Sequence, residues 1–137
     1  MRKFFLAILV LALPLLTSAQ GLNLVSNYSE AMSQRLAFGL NRNTRLYNKL
    51  VNQSFHLAQK GKNLSTINIK FTEAKILIDR GQTRLTSQRT KAINLTSSST
   101  PRESYLIVRQ LVREIIQDIR LSYVKIRQTR LLIKKAR

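Results

Sequence analysis

Apolar residues recur in alternating steps of three and four along most of this chain, the spacing that gathers them on one face of a helix. The clearest run follows Thr100. Tyr105, Val108, Val112, Ile115, Ile119, Ile126 and Ile133 form one row, interrupted by Ser122 and Thr129 and widened by Leu111, Ile116 and Tyr123. No glycine or proline falls between Arg102 and Arg137. The start of the run is marked too. Thr100 is suited to cap the first turn, and Pro101 loses nothing at a position whose N–H would be unpaired anyway. Glu103 is placed to reach back to the cap. The spacing predicts a helix over 101–136.

Two earlier segments carry the same period. Met32, Leu36, Gly39, Asn43, Leu46, Leu50 and Leu57 make an inner row, with Leu40, Tyr47, Val51 and Phe55 beside it. Asn27 and Glu30 read as a second capping box, so this helix is expected over 28–60, with 20–26 as an extended lead-in. Ile67, Phe71, Ala74, Ile78, Gly81 and Leu85 form the third row, fading to Gln88 and Ala92. That predicts a helix over 66–94, followed by a Ser/Thr-rich loop at 95–99.

The first two helices should form a hairpin. In Lys60-Gly61-Lys62-Asn63-Leu64-Ser65, Gly61 suits the left-handed C′ position, and Leu64 is free to pack back as the apolar partner of the turn. Ser65 or Thr66 would cap the next helix. A turn centred near Asn63 pairs Leu57 with Ile67, Leu50 with Ala74, Leu46 with Ile78, Asn43 with Gly81 and Gly39 with Leu85. Large side chains would then face small ones, making Gly39 and Gly81 packing glycines.

The first nineteen residues follow a different pattern. Arg2 and Lys3 precede an apolar stretch, Phe4 to Leu13, extended past Pro14 by Leu15 and Leu16, and Thr17-Ser18-Ala19 supplies small residues before a cut. This is the pattern of an export signal, too short and too broken to span a bilayer. The chain contains no cysteine, which excludes disulfides and a thiol-linked lipid anchor. The domain must therefore stand on its core.

Charge narrows the partners. The 137 residues include 24 Lys and Arg, of which only Arg2 and Lys3 fall in the leader, against six Asp and Glu. A surface this basic favours polyanions. On the last helix Arg109, Arg113, Arg120, Arg127, Arg130, Lys134 and Lys135 are the candidate contacts, facing only Glu103, Glu114 and Asp118. Candidate chemistry is otherwise sparse. His56 is the sole histidine, the acids are scattered, and no glycine-rich phosphate loop occurs, so no catalytic, metal or cofactor residue is expected. Arg80-Gly81-Gln82-Thr83-Arg84 lies mid-helix with Gly81 inward, a structural placement. Tyr28, Tyr47, Tyr105 and Tyr123 are too far apart for a stacking platform, and each is expected at the core boundary with its hydroxyl in water.

Arg45-Leu46, the Lys60–Ser65 turn, Glu73-Ala74-Lys75 and Val112–Arg120 together make a pattern that resembles small exported helical-hairpin proteins of uncultured candidate-phylum bacteria. The resemblance spans about 35–130 and implies a helical fold and an envelope location, with no activity to carry over. Leu85-Thr86-Ser87-Gln88 is similar to the Leu-Thr-x-x-Gln motif of small basic periplasmic stress chaperones. It is one residue short, with Arg89 standing where Gln belongs.

The expectation is an all-α protein: an elongated, coiled-coil-like antiparallel three-helix bundle over 27–137, after a signal peptide at 1–19. It would be exported, to the periplasm, the cell envelope or the medium, without enzyme activity or cofactor. It would bind an anionic membrane surface, a wall polymer or an acidic protein through basic helical faces. A periplasmic holdase chaperone, an extracellular DNA-binding protein and a self-assembling structural protein are the alternatives. Leu106, Ile107, Leu121 and Leu131 fall off the main stripe and are the residues that self-association would cover.

Overall fold

The computed structural model describes residues 18–95 and 100–137, which form three helices packed on one another: α1 Ser18–Gln59, α2 Ser65–Leu95 and α3 Pro101–Ala136. At ~1.5 Å per residue α1 is roughly 63 Å long and α3 roughly 54 Å. The expected signal segment lies outside the described residues except for Ser18 and Ala19, which begin α1. Of the Ser/Thr-rich loop, 96–99 also lie outside them, and Leu95 ends α2.

Both predicted turn devices are present. Thr100 Oγ1 accepts from the Glu103 N–H at 3.3 Å, and a Glu103 carboxylate oxygen accepts from the Thr100 N–H at 3.2 Å. At the end of α1, Gly61 takes φ +71°. The Gly61 N–H donates to Ala58 O and the Lys62 N–H to Leu57 O, which ties off two carbonyls of the last turn in a Schellman arrangement. Leu64 packs back against the core beside Leu57. The cap of α2 differs from expectation. The Asn63 side-chain oxygen takes the Ser65 N–H, and Ser65 and Thr66 lie inside the helix.

Two apolar clusters fill the bundle. Val25, Leu36, Leu40, Leu85, Tyr105, Val108, Val112 and Ile115 make one; Leu50, Leu57, Ile67, Phe71, Ala74, Ile78, Ile126 and Ile133 make the other. Between and beyond them the inner rows turn polar. Gln88, fully buried, donates to Ser29 Oγ and accepts from Ser33 Oγ, both at 2.7 Å. Asn43, also fully buried, donates to Ile119 O at 2.9 Å and to Ser122 Oγ at 2.8 Å.

Three expectations are corrected. The segment 20–26 is helical rather than extended, and Asn27 lies inside α1 rather than at its cap. Its buried row is Gly21, Val25, Ser29 and Ser33, small and polar enough to hide from an apolar count. This added length covers the start of α3. Tyr105 is buried in one cluster with Val25, its ring tilted at 51° to that of Tyr28 with centroids 5.4 Å apart, and its hydroxyl is away from water and without a partner among the described residues. The hairpin register also shifts. A Cβ on Gly81 would meet Leu40 Cδ2 at 2.7 Å and Asp118 Cβ at 3.5 Å, so Leu40, not Asn43, lies over Gly81. Gly39 approaches Ile119 of α3, where a Cβ would sit 3.2 Å from Cδ1, rather than Leu85. The chain reverses at Gly61, two residues before Asn63, and the partner of Gly81 moves by three residues, nearly a turn. Both glycines remain close-approach positions, as expected.

A candidate polyanion-binding face

The third helix has two flanks, and the neighbouring helices give them opposite character. Toward α2, positions 114, 118 and 125 face partners of opposite sign. Asp118 is fully buried; it accepts from Arg80 Nε at 2.9 Å and from Arg84 Nη1 at 2.8 Å. Arg84 also lies 3.7 Å from Glu114, and Lys125 reaches Glu73 at 2.7 Å. Lys70 bonds the same Glu73, and Lys75 bonds Asp79 within α2. Every ion pair among the described residues includes an α2 side chain. The expectation that Asp118 stands on the outer face opposing the cations is thus corrected. It took the core place that period alone assigned to Ile119, which is only partly buried.

Toward α1 the pattern reverses. Asn43 bonds α3 with sequence separations of 76 and 79, and Gly39 meets Ile119, so α1 and α3 run parallel with a steady offset. Along this seam α1 presents Arg35, Arg42 and Lys49, spaced by seven and so on one row of a supercoiled helix. The third helix presents Arg113, Arg120, Arg127 and Lys134 at the same spacing. Arg109 and Arg130 share the row of Ile116 and Tyr123, one step nearer the core. No carboxylate pairs with any of these among the described residues. Arg42 lies over the Tyr123 ring, 5.3 Å from its centroid. Burial lifts the Tyr28 phenol above its usual pKa, helped by Tyr105 and opposed by the charges of Arg109 and Arg113.

Of the sequence-predicted contacts, Arg113, Arg120, Arg127, Arg130 and Lys134 are exposed along the α1 side, with Arg109 half-buried near Tyr28. Lys135 is set apart: it shares the seven-residue row of Glu114 and Leu121, on the flank toward α2. The sequence reading missed Arg35, Arg42 and Lys49. Their spacing of seven matched to that of Arg113, Arg120, Arg127 and Lys134 was the available signal.

Between the two cationic rows lies a groove of about 230 Å³. Leu46, Leu50, Ile126 and Tyr123 line it, with Lys49, Gln53, Arg127 and Arg130 around it. Leu106 heads the α3 cationic row, and Phe38, 72% exposed, projects beside Arg35 and Arg42. This face sets unpaired positive charge beside exposed apolar side chains. Among the described residues no three His, Asp or Glu side chains gather as a metal site, and no helix is long and apolar enough to cross a membrane. No known protein family, curated protein or solved structure matches the chain.

Proposed function

We propose that this is an exported, non-enzymatic protein whose α1/α3 side binds the anionic surface of the cell envelope. One observation carries the reading: cations without a carboxylate partner line both edges of a single seam, whereas Arg80, Arg84 and Lys125 on the other seam are each paired. Within each row they stand ~10 Å apart, about one Debye length at physiological salt. Their mutual repulsion is therefore tolerable in the folded chain, and an anionic surface replaces it with attraction. Near such a surface each Lys or Arg contributes roughly 1 kcal/mol, so the two rows together support an affinity on the order of micromolar. Export is supported by the leader pattern at 1–19 and by its agreement with an envelope target.

Phe38 and Leu106 favour a lipid surface over a purely polar polyanion. Exposed apolar side chains among cations are what an interfacial face needs, and a wall polymer or nucleic acid has no use for them. The test is co-sedimentation of the full chain, freed of its leader, with vesicles of phosphatidylglycerol in phosphatidylcholine. Binding should rise with the anionic fraction and collapse as NaCl increases. Equal binding to pure phosphatidylcholine, or binding unchanged at about 0.5 M NaCl, overturns the reading. So does stronger binding to purified wall polymer or DNA than to the vesicles.

A further inference from the structure

We propose that the α1/α3 groove is a site for a single anionic phospholipid, resting on the reading that this side meets an anionic membrane. Lys49, Arg127 and Arg130 hold the phosphate, and the first methylenes of the chains lie on Leu46, Leu50 and Ile126.

The argument starts from the groove's two chemistries. Its floor includes Leu50 and Ile126, which also belong to the core cluster and are 6% and 4% exposed. They are part of the packed bundle, so the floor is preformed rather than a loose surface patch. Tyr123 forms one wall, and the Arg42 guanidinium over its ring fixes that wall and adds positive charge nearby. The cations around the groove sit on both helices, Lys49 on α1 and Arg127 and Arg130 on α3, and none has an acidic partner among the described residues. Arg guanidinium groups suit phosphate oxygens, which they bond two at a time. Gln53 adds an amide that donates to an ester or glycerol oxygen.

No single-natured ligand uses all of this. A bare phosphate polymer satisfies the cations and leaves the apolar floor wet. A fatty chain covers the floor and leaves the cations unused. An amphiphile with a phosphate head does both. Size sets the limit: about 230 Å³ is below the usual ~300–1,000 Å³ of small-molecule clefts. The groove therefore takes the head and the upper chain, and the remainder stays in the bilayer. Because the groove runs along the flank of the bundle, the rod lies flat on the membrane with its α2 side away from it.

The test uses soluble short-chain lipid below its micelle concentration, titrated into the full chain freed of its leader and followed by methyl NMR and calorimetry. Dihexanoyl-phosphatidylglycerol should bind saturably at one site and shift the methyl signals of Leu46, Leu50 and Ile126. Glycerol phosphate, which lacks the chains, should bind at least tenfold more weakly, as should dihexanoyl-phosphatidylcholine. The double variant Arg127→Gln with Arg130→Gln should lose at least tenfold in affinity. Arg113→Gln with Arg120→Gln removes the same charge elsewhere on the stripe and should change affinity less than threefold. Circular dichroism checks that both variants fold, which the exposure of all four side chains favours. Equal losses in the two variants, binding of glycerol phosphate as tight as the lipid, or unshifted groove methyls overturn the site while vesicle binding of the parent chain survives. Failure of the parent chain to bind anionic vesicles removes the broader reading as well.

Discussion

The two seams that flank α3 are built from similar residues and end in opposite electrostatic states. On the α2 side, Arg80, Arg84 and Lys125 converge on Asp118, Glu114 and Glu73. On the α1 side the cations are as dense, yet Glu30, the one acid of α1, bonds Gln34 on its own helix. Six acids are too few to neutralise this chain, and their placement decides where the deficit appears. Had they been spread evenly, the surface would be weakly basic all round. With four of them, Glu73, Asp79, Glu114 and Asp118, on or facing α2, the α1 side of the rod is left fully charged. Net charge alone therefore says little about where a polyanion would bind; the pairing pattern says more.

The largest blow to the α2 seam comes from Gly81→Leu. A side chain there meets Leu40 and Asp118 at once, and overpacking of a site with no room costs about 3 kcal/mol. Thermal unfolding should show a drop of roughly 10 °C; a higher melting temperature would refute the close approach. Asp118→Ala is expected next, at about 2 kcal/mol by denaturant unfolding. Breaking a fully buried pair costs more, but Arg80 and Arg84 are 46% and 34% exposed and can turn their charge into water. Arg113→Gln with Arg120→Gln probes the other seam. Because those cations hold no partner, stability should stay level or rise by up to about 0.5 kcal/mol at low salt. A loss above 1 kcal/mol would mean that the seam is paired after all.

The smallest effect is acid titration. The Lys125 ammonium, and then that of Lys70, hold the Glu73 carboxyl below the usual carboxylate range. Its folded-state pKa is thus depressed relative to the unfolded chain. The Glu73 contribution is present above the unfolded value and is lost as pH falls through the folded one. An NMR titration should place its midpoint below that of a free glutamate, and Lys125→Met should raise it.

Much of the fold was legible because its devices are local. Thr100, Pro101 and Glu103 declare a helix start within four residues, and Gly61 declares an end. The rows of α2 and α3 are nearly all buried as their spacing requires. What stayed hidden was tertiary. Gly21, Ser29 and Ser33 carry no apolar signal, so the first turns of α1 looked like a lead-in, and Tyr105 looked half-wet. Asp118 reads as a surface acid until Arg80 and Arg84 arrive from thirty-odd residues upstream. The α3 half of the cationic face was legible as a basic row. Its α1 half showed only the matching spacing of seven; placing that row beside α3 needed the parallel offset of the two helices.

That offset depends on Asn43. A long rod of repeating apolar layers is free in principle to slide one heptad, because each Leu or Ile finds an equivalent neighbour seven residues on. Asn43 works as an index pin against a slide in one direction: it would move from Ser122 to Ile115, and an amide stranded in an apolar layer costs ~1–3 kcal/mol. The opposite slide meets the Thr129 hydroxyl instead. The Gln88 hydrogen bonds with Ser29 and Ser33 pin α1 to α2 in the same way. Replacing Asn43 and Ser122 with Leu and Ala should leave a helical rod that melts no earlier but shows doubled amide signals, as two alignments share the population. A single set of signals would mean that the apolar layers alone can index the bundle.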